Sequence, residues 1–172
     1  MNLTAHHVNL IIPFLFMFSN NCKIWKVYWM SWLKSALEKE PPEPTNPIGT
    51  VVIGNLEPDM HDTAKEMVRK SLKKASFKTI DLGRAVPPAT FIAKVKETNA
   101  NIIAVSINMV AAKENLQKLA SMLETEGLKG KVGIMIGGAA VKGEDADKIG
   151  AVYGKTREEA VSLAKQLLEK KK

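Results

Sequence analysis

The sequence predicts an α/β fold, a Rossmann-like (flavodoxin-like) doubly wound sheet of five parallel strands in the order 2-1-3-4-5. Three observations predict it. From about residue 49 onward, short apolar runs of strand length alternate with longer segments of helical spacing, and five such β-α units in series imply right-handed crossovers with helices on both faces. The third run, Ile102 to Ser106, is continuously apolar, as a strand buried on both faces should be. The first, third and fourth runs each end in a polar or glycine loop, at the edge where open parallel sheets bind ligands.

Each element has its own signal. Thr50 to Gly54 is a β-branched first strand, and from Lys65 the residues Met67, Val68 and Leu72 recur at helical spacing, giving a helix over Thr63 to Lys74. Phe77 to Leu82 is the second strand. Gly83 ends it, and a helix opens near Pro87-Pro88, where proline suits a first turn. Ile102 to Ser106 leads to a helix over Ala112 to Glu126 closed by Gly127. Val132 to Ile136 is the fourth strand, ending at Gly137-Gly138. A short helix over Glu144 to Ile149, a minimal strand Ala151 to Tyr153 and a helix over Thr156 to Glu169 complete a domain of about 120 residues, enough for one core.

The 172 residues divide into three parts. Residues 1–40 read as a hydrophobic and aromatic leader, 41–48 as a proline-rich acidic linker of semi-stiff extended chain, and 49–172 as the folded domain. Val8 to Phe18 is apolar but too short to span a bilayer, and it lacks a basic region and cleavage site for a secretory signal. Lys23 to Leu37 carries Trp25, Tyr28, Trp29 and Trp32 at partly amphipathic spacing. That suits a membrane-surface or partner-docking helix. The competing reading makes Met30 the start and residues 1–29 translated upstream sequence.

Charge and cysteine content narrow the class further. Of the net +7, residues 1–47 contribute +1 and the rest is spread over helix surfaces where bases alternate with acids. Only Lys170-Lys171-Lys172 forms a run, so the charge is a solvated surface and no nucleic-acid partner is expected. The single cysteine, Cys22, permits no intrachain disulfide and fits a reducing, cytoplasmic home.

The loop Gly54-Asn55-Leu56-Glu57-Pro58-Asp59-Met60-His61-Asp62-Thr63-Ala64 lies between the first strand and its helix. In one reading Thr63 and Glu66 form a capping box, Asp59 and Asp62 are helix-entry acids, and His61 is an ordinary exposed histidine. In the other, Asp59 and His61 sit at the carboxyl edge for chemistry. Strand adjacency then puts this loop, Ser106-Ile107-Asn108 and Gly137-Gly138 around one crevice. Paired glycines after a strand either let a ligand approach bare backbone or simply turn the chain.

With Asp59-Met60-His61-Asp62-Thr63-Ala64, Ser106-Ile107-Asn108 and Gly137-Gly138 in this order, residues 49–169 resemble the cobalamin-binding domain of corrinoid proteins and methionine synthase. The family pattern is Asp-x-His-x-x-Gly, Ser-x-Leu and Gly-Gly. The segment Ile80-Asp81-Leu82-Gly83-Arg84 with Val86-Pro87, and His61-Asp62 running into a helix with Lys65, resemble its methyl-carrier branch. The resemblance implies cobalamin as cofactor, with His61 as the lower axial ligand of cobalt in place of the corrinoid's own base. It implies Asp59 as the partner that fixes the imidazole and relays a proton. Ser106 is then the hydrogen-bond donor to the displaced nucleotide tail, and Met60, Asp62, Asn108, Val110, Gly137, Gly138, Tyr153 and Gly154 line the cofactor site.

The departures carry information. Ala64 stands for the family glycine, Asn108 for the leucine, Val110 and Ala112 for residues that usually bear hydroxyls, and Pro58 for a common glycine. The roughly 48 residues before the domain are too few for the helical domain that shields the upper face of cobalt in methyl-carrier relatives. That predicts a separate capping chain or the methyltransferase itself, docked through Trp25, Trp29 and Trp32. The function implied is a corrinoid protein carrying a methyl group between partner methyltransferases, a carrier subunit and not a complete enzyme. Two alternatives belong to other classes: a non-catalytic cobalamin sensor, scavenger or degenerate module, and the small subunit of an adenosylcobalamin-dependent mutase.

Overall fold

A computed structural model describes residues 40–170. Residues 1–39 of the leader, with the Met30 start and the tryptophan docking surface, fall outside the described residues. Five parallel strands form one sheet in the order β2-β1-β3-β4-β5. They are β1 (Gly49–Asn55), β2 (Phe77–Asp81), β3 (Ile102–Ser106), β4 (Gly133–Gly137) and β5 (Val152–Tyr153). Between and after them run α1 (Thr63–Lys74), α2 (Pro88–Thr98), α3 (Lys113–Thr125), α4 (Gly143–Asp147) and α5 (Arg157–Glu169), with a 3-10 turn at Val110–Ala112.

Strand alternation sorts the core into two layers. Val52, Ile103, Val105, Ile134 and Ile136 face a cluster with Phe91, Ile92, Leu116 and Leu119, so α2 and α3 cover that side. Val51, Ile53, Ile102, Ala104 and Met135 face Leu72, Ala160 and Ala164 of α1 and α5 on the other. Every residue of β3 is buried because it lies between both layers.

The predicted order and element types hold, with ends shifted by one or two residues. β1 extends to Asn55 because that residue still pairs with Ser106. The capping box at Thr63 does not form, and that reading is corrected. Asp62 takes the N-cap position without a side-chain cap bond. Glu66 instead pairs with Arg69 at 2.9 Å and lies 3.4 Å from Lys65. Two cations within a turn attract its carboxylate more strongly than one backbone N–H.

Glu40, the last residue of the leader, and Glu43 of the linker are fastened to α1. Glu40 accepts two parallel hydrogen bonds of 2.7 Å from Arg69, and Lys73 pairs with Glu40 at 2.9 Å and Glu43 at 2.5 Å. The Arg69 guanidinium, helped by Lys73 and opposed by burial, brings the Glu40 carboxyl from 4.5 down to about 2. A depressed acid stabilises the fold above its unfolded value and stops doing so as pH falls through its folded one. NMR titration of the Glu40 carboxyl should therefore show a midpoint near 2, and Arg69→Ala should return it toward 4.5.

Candidate functional site

The register of the sheet sets the site. Asn55 of β1 lies level with Ser106 of β3, and Ser106 lies level with Gly137 of β4. Ile136 pairs with Tyr153, which brings Gly154 beside Gly137. The ends of four strands thus stand in one row along the carboxyl edge. The order β2-β1-β3 places the switch point, where the chain turns from one face to the other, between Asn55 and Ser106.

At that point the loop after β1 presents His61. The Asp59 side chain is fully buried, whereas that of His61 is 66% exposed. His61 Nδ1 lies 2.7 Å from Asp59 Oδ1, and the same oxygen accepts the His61 backbone N–H at 3.0 Å. The other carboxylate oxygen, Oδ2, accepts the Asn108 backbone N–H at 2.5 Å and the Asn108 amide Nδ2–H at 3.1 Å. Burial pushes the Asp59 carboxyl up. The backbone N–H groups of His61 and Asn108, with the His61 ring and the Asn108 amide, outweigh burial and hold it below the usual carboxylate range. An ionised carboxylate only accepts, so the proton of a neutral ring resides on Nδ1 and the lone pair on the exposed Nε2.

The loop is tied down from several sides. Buried Asn55 donates from Nδ2 to the His61 carbonyl at 2.6 Å. Asn115 donates to the Glu57 carbonyl at 2.9 Å. The Ala85 N–H, from the loop after β2, donates to the Asp59 carbonyl at 2.9 Å. Lys65, 2% exposed, joins the start of α1 to the end of β2, with Nζ 2.6 Å from Asp81 and 2.8 Å from Asp62. Burial lowers its pKa, but the two carboxylates more than reverse that and keep it charged.

Beside the histidine loop, Ser106 is 8% exposed, and its Oγ accepts from Asn108 Nδ2 at 3.1 Å. Asn108 Oδ1 accepts the Ala139 N–H at 3.2 Å, crossing to the loop after β4. Gly138 has φ +115°, and a Cβ there would stand 2.3 Å from the Ile107 carbonyl oxygen. A Cβ on Gly137 would stand 2.8 Å from the Gly154 carbonyl oxygen. The paired glycines thus let neighbouring backbone come close, a packing role that the sequence left open.

The structure brings Asp59, His61, Ser106, Asn108, Gly137, Gly138 and Gly154 to one edge, with Tyr153 half-buried in β5 beside them. Asp62 is engaged with Lys65 and not with His61. Met60, Met109 and Val110 are exposed apolar side chains. Sequence reasoning missed Asn55 and Asn115 as loop ties. Only the polar type of Asn55 at the end of a buried apolar strand hints at its role.

A buried acid orienting one exposed imidazole at the carboxyl edge, beside the switch point, defines a ligand-binding α/β domain. Residues 49–164 match the model of the B12 binding domain, and the chain belongs to that family, whose cofactor is cobalamin. The trimethylamine corrinoid protein 1 of Methanosarcina mazei is 41% identical over 137 residues, covering 79% of this chain and 63% of the relative. The chain spans 58% of the dimethylamine corrinoid protein 2 of the same organism. A cobalamin-binding protein from Desulfitobacterium hafniense superposes with a TM-score of 0.67 at 27% identity over 69% of this chain and 58% of its own. The methanol:cobalamin methyltransferase complex MtaBC from Methanosarcina barkeri gives 0.69 at 26% identity, over 72% and 48%.

Proposed function

We propose that this domain holds cobalamin with its own base displaced and His61 as lower axial ligand, and that it carries a methyl group between partner methyltransferases in the cytoplasm. The observation that carries the reading is the buried Asp59 carboxylate fixing Nδ1 of an exposed imidazole. Among the described residues no group of three His, Cys, Asp or Glu is placed to hold a metal by itself. A lone oriented imidazole suits a metal whose remaining donors come from a macrocycle. His61 would hold the cobalt of bound cobalamin, which would supply a centre able to accept and release a methyl group.

The chain's own part is to position and to move a proton. Asp59 keeps Nδ1 protonated and Nε2 free to ligate. A further proton arriving at the pair converts Nε2 from acceptor to donor, and His61 then ceases to be a ligand. Ser106, whose oxygen already accepts from Asn108, directs its own O–H outward as donor to the nucleotide tail. Gly137, Gly138, Tyr153 and Gly154 flank that slot, and Met60, Asp62, Asn108 and Val110 border its mouth. A methyltransferase or separate capping chain covers the face opposite His61. The corrinoid proteins and the methyltransferase complex found by comparison support this assignment. Among the described residues no helix is long and apolar enough to cross a membrane.

Titration with hydroxocobalamin, followed by absorption, tests the reading. The wild-type protein should bind with a spectrum shifted by the new axial ligand. Loss of partners beyond the metal's own ligands costs about 10–100-fold in affinity, so His61→Ala should cost about 100-fold or more and abolish the shift. Absence of binding would leave a fold used only for protein contacts. A light-sensitive deoxyadenosyl cofactor in the native complex would point to a mutase subunit instead.

A further inference from the structure

We propose that Asn108 is a positioning residue for His61, acting through Asp59, and that the same side chain couples this pair to the slot for the nucleotide tail. The inference rests on the reading of His61 as axial ligand and extends it to a residue outside the acid-imidazole pair.

The Asn108 amide is satisfied on three sides. Nδ2 donates to Asp59 Oδ2 at 3.1 Å and to Ser106 Oγ at 3.1 Å, and Oδ1 accepts the Ala139 N–H at 3.2 Å. The backbone N–H of Asn108 also reaches Asp59, but it cannot touch the slot. Only the side chain links the loop after β1, the end of β3 and the loop after β4. Its two N–H donors do different work. One holds the Asp59 carboxylate in the orientation that receives the His61 Nδ1 proton. The other occupies a lone pair of Ser106, so the serine's single proton is left to donate into the slot, and a chain of hydrogen bonds polarised in one direction strengthens each member. Orientation of the axial ligand and readiness of the tail donor therefore depend on one amide. A leucine of similar size would fill the same space and do neither.

The test uses the full chain and two probes, hydroxocobalamin, which carries the tail, and diaquocobinamide, which lacks it. In Asn108→Leu, affinity for cobinamide should fall about tenfold, since only the link to His61 is lost, and affinity for cobalamin about a hundredfold, since both links are lost. Ser106→Ala should weaken cobalamin about tenfold and leave cobinamide unchanged. In the unloaded protein, ring ¹⁵N shifts of His61 should report a single Nδ1–H tautomer in the wild type and a mixture in Asn108→Leu. Asn108→Asp keeps the size but places a second carboxylate against Asp59, and should be at least as impaired as Asn108→Leu. The retained backbone bond to Asp59 lets both variants keep the fold, and a thermal melt checks it.

A wild-type His61 tautomer and cobinamide affinity in Asn108→Leu would overturn the positioning role. Equal losses for the two corrinoids would overturn the coupling, and a wild-type-like Asn108→Asp would reduce the side chain to a filler. If the wild type shows no His61-dependent spectrum, the axial-ligand reading fails and this inference with it. If it shows one and Asn108 is indifferent, only this inference fails.

Discussion

Asp59→Ala should lower the unfolding free energy by about 3 kcal/mol, counting of its four hydrogen bonds only the two from backbone N–H groups, those of His61 and Asn108, at roughly 1.5 kcal/mol each to a charged acceptor. It should also remove His61-dependent corrinoid binding. Among the described residues, the carboxylate pairs with the His61 ring and accepts the backbone N–H of Asn108. Without it the loops after β1 and β3 lose their shared anchor, and the imidazole is free to rotate. Asp59→Asn separates these effects. It keeps the volume and one acceptor, so stability should fall less, but its NH₂ faces existing donors and the single His61 tautomer should be lost. The pH dependence has a definite sign. The folded pKa of Asp59 lies below 3.8, so its contribution is complete above pH 3.8 and is lost as the solution is acidified below that. Urea unfolding of the three proteins at neutral and acid pH measures the difference, and a midpoint of Asp59→Ala equal to wild type would refute it.

The sheet was legible because each strand carries its own pattern. Continuous apolar residues in β3, a β-branched run in β1 and prolines at the start of α2 are local signals, and right-handed crossovers leave few topologies. The crevice was legible for the same reason: the row Asn55, Ser106, Gly137 follows once strand order and strand ends are known. The roles within the crevice were not. Asn108 reads in sequence as a lost apolar contact, because its three partners lie 2, 31 and 49 residues away in the chain. Asn55 reads as a strand-ending turn residue, and only tertiary structure brings the His61 carbonyl to it. The capping box failed because two neighbouring cations, Lys65 and Arg69, compete for Glu66, and a four-residue pattern does not include the charges around it. The glycine pair was visible as a need for space, but what fills the space is the backbone of Ile107 and Gly154.

The close approach of the Ile107 backbone to Gly138 sets a sharp stability contrast. Gly138→Ala should destabilise the domain by about 4 kcal/mol, combining roughly 1–3 kcal/mol of backbone strain with roughly 1–3 kcal/mol of overpacking. Its φ of +115° is a conformation that residues with a Cβ rarely adopt, and the added carbon would meet the oxygen, carbon and nitrogen of Ile107 at 2.3, 2.7 and 2.8 Å. No side chain can swing away to relieve this, since every close atom is backbone. The obstruction is fixed on both sides, with Ile107 donating to the Gly137 carbonyl at 2.8 Å and accepting from Ala140 at 3.1 Å. Gly83 provides the control: its φ is +87°, yet a Cβ there meets nothing within 4 Å. Gly83→Ala should therefore show the conformational cost alone, about 1–2 kcal/mol. The excess of Gly138→Ala over Gly83→Ala in chemical denaturation isolates the close approach of the β3 and β4 loops. Because that approach also carries the bond from Ala139 to Asn108, any Gly138→Ala protein that folds should show the weakened cobalamin affinity of Asn108→Leu. Equal destabilisation by the two alanines would mean that the loops after β3 and β4 are free to separate at Gly138.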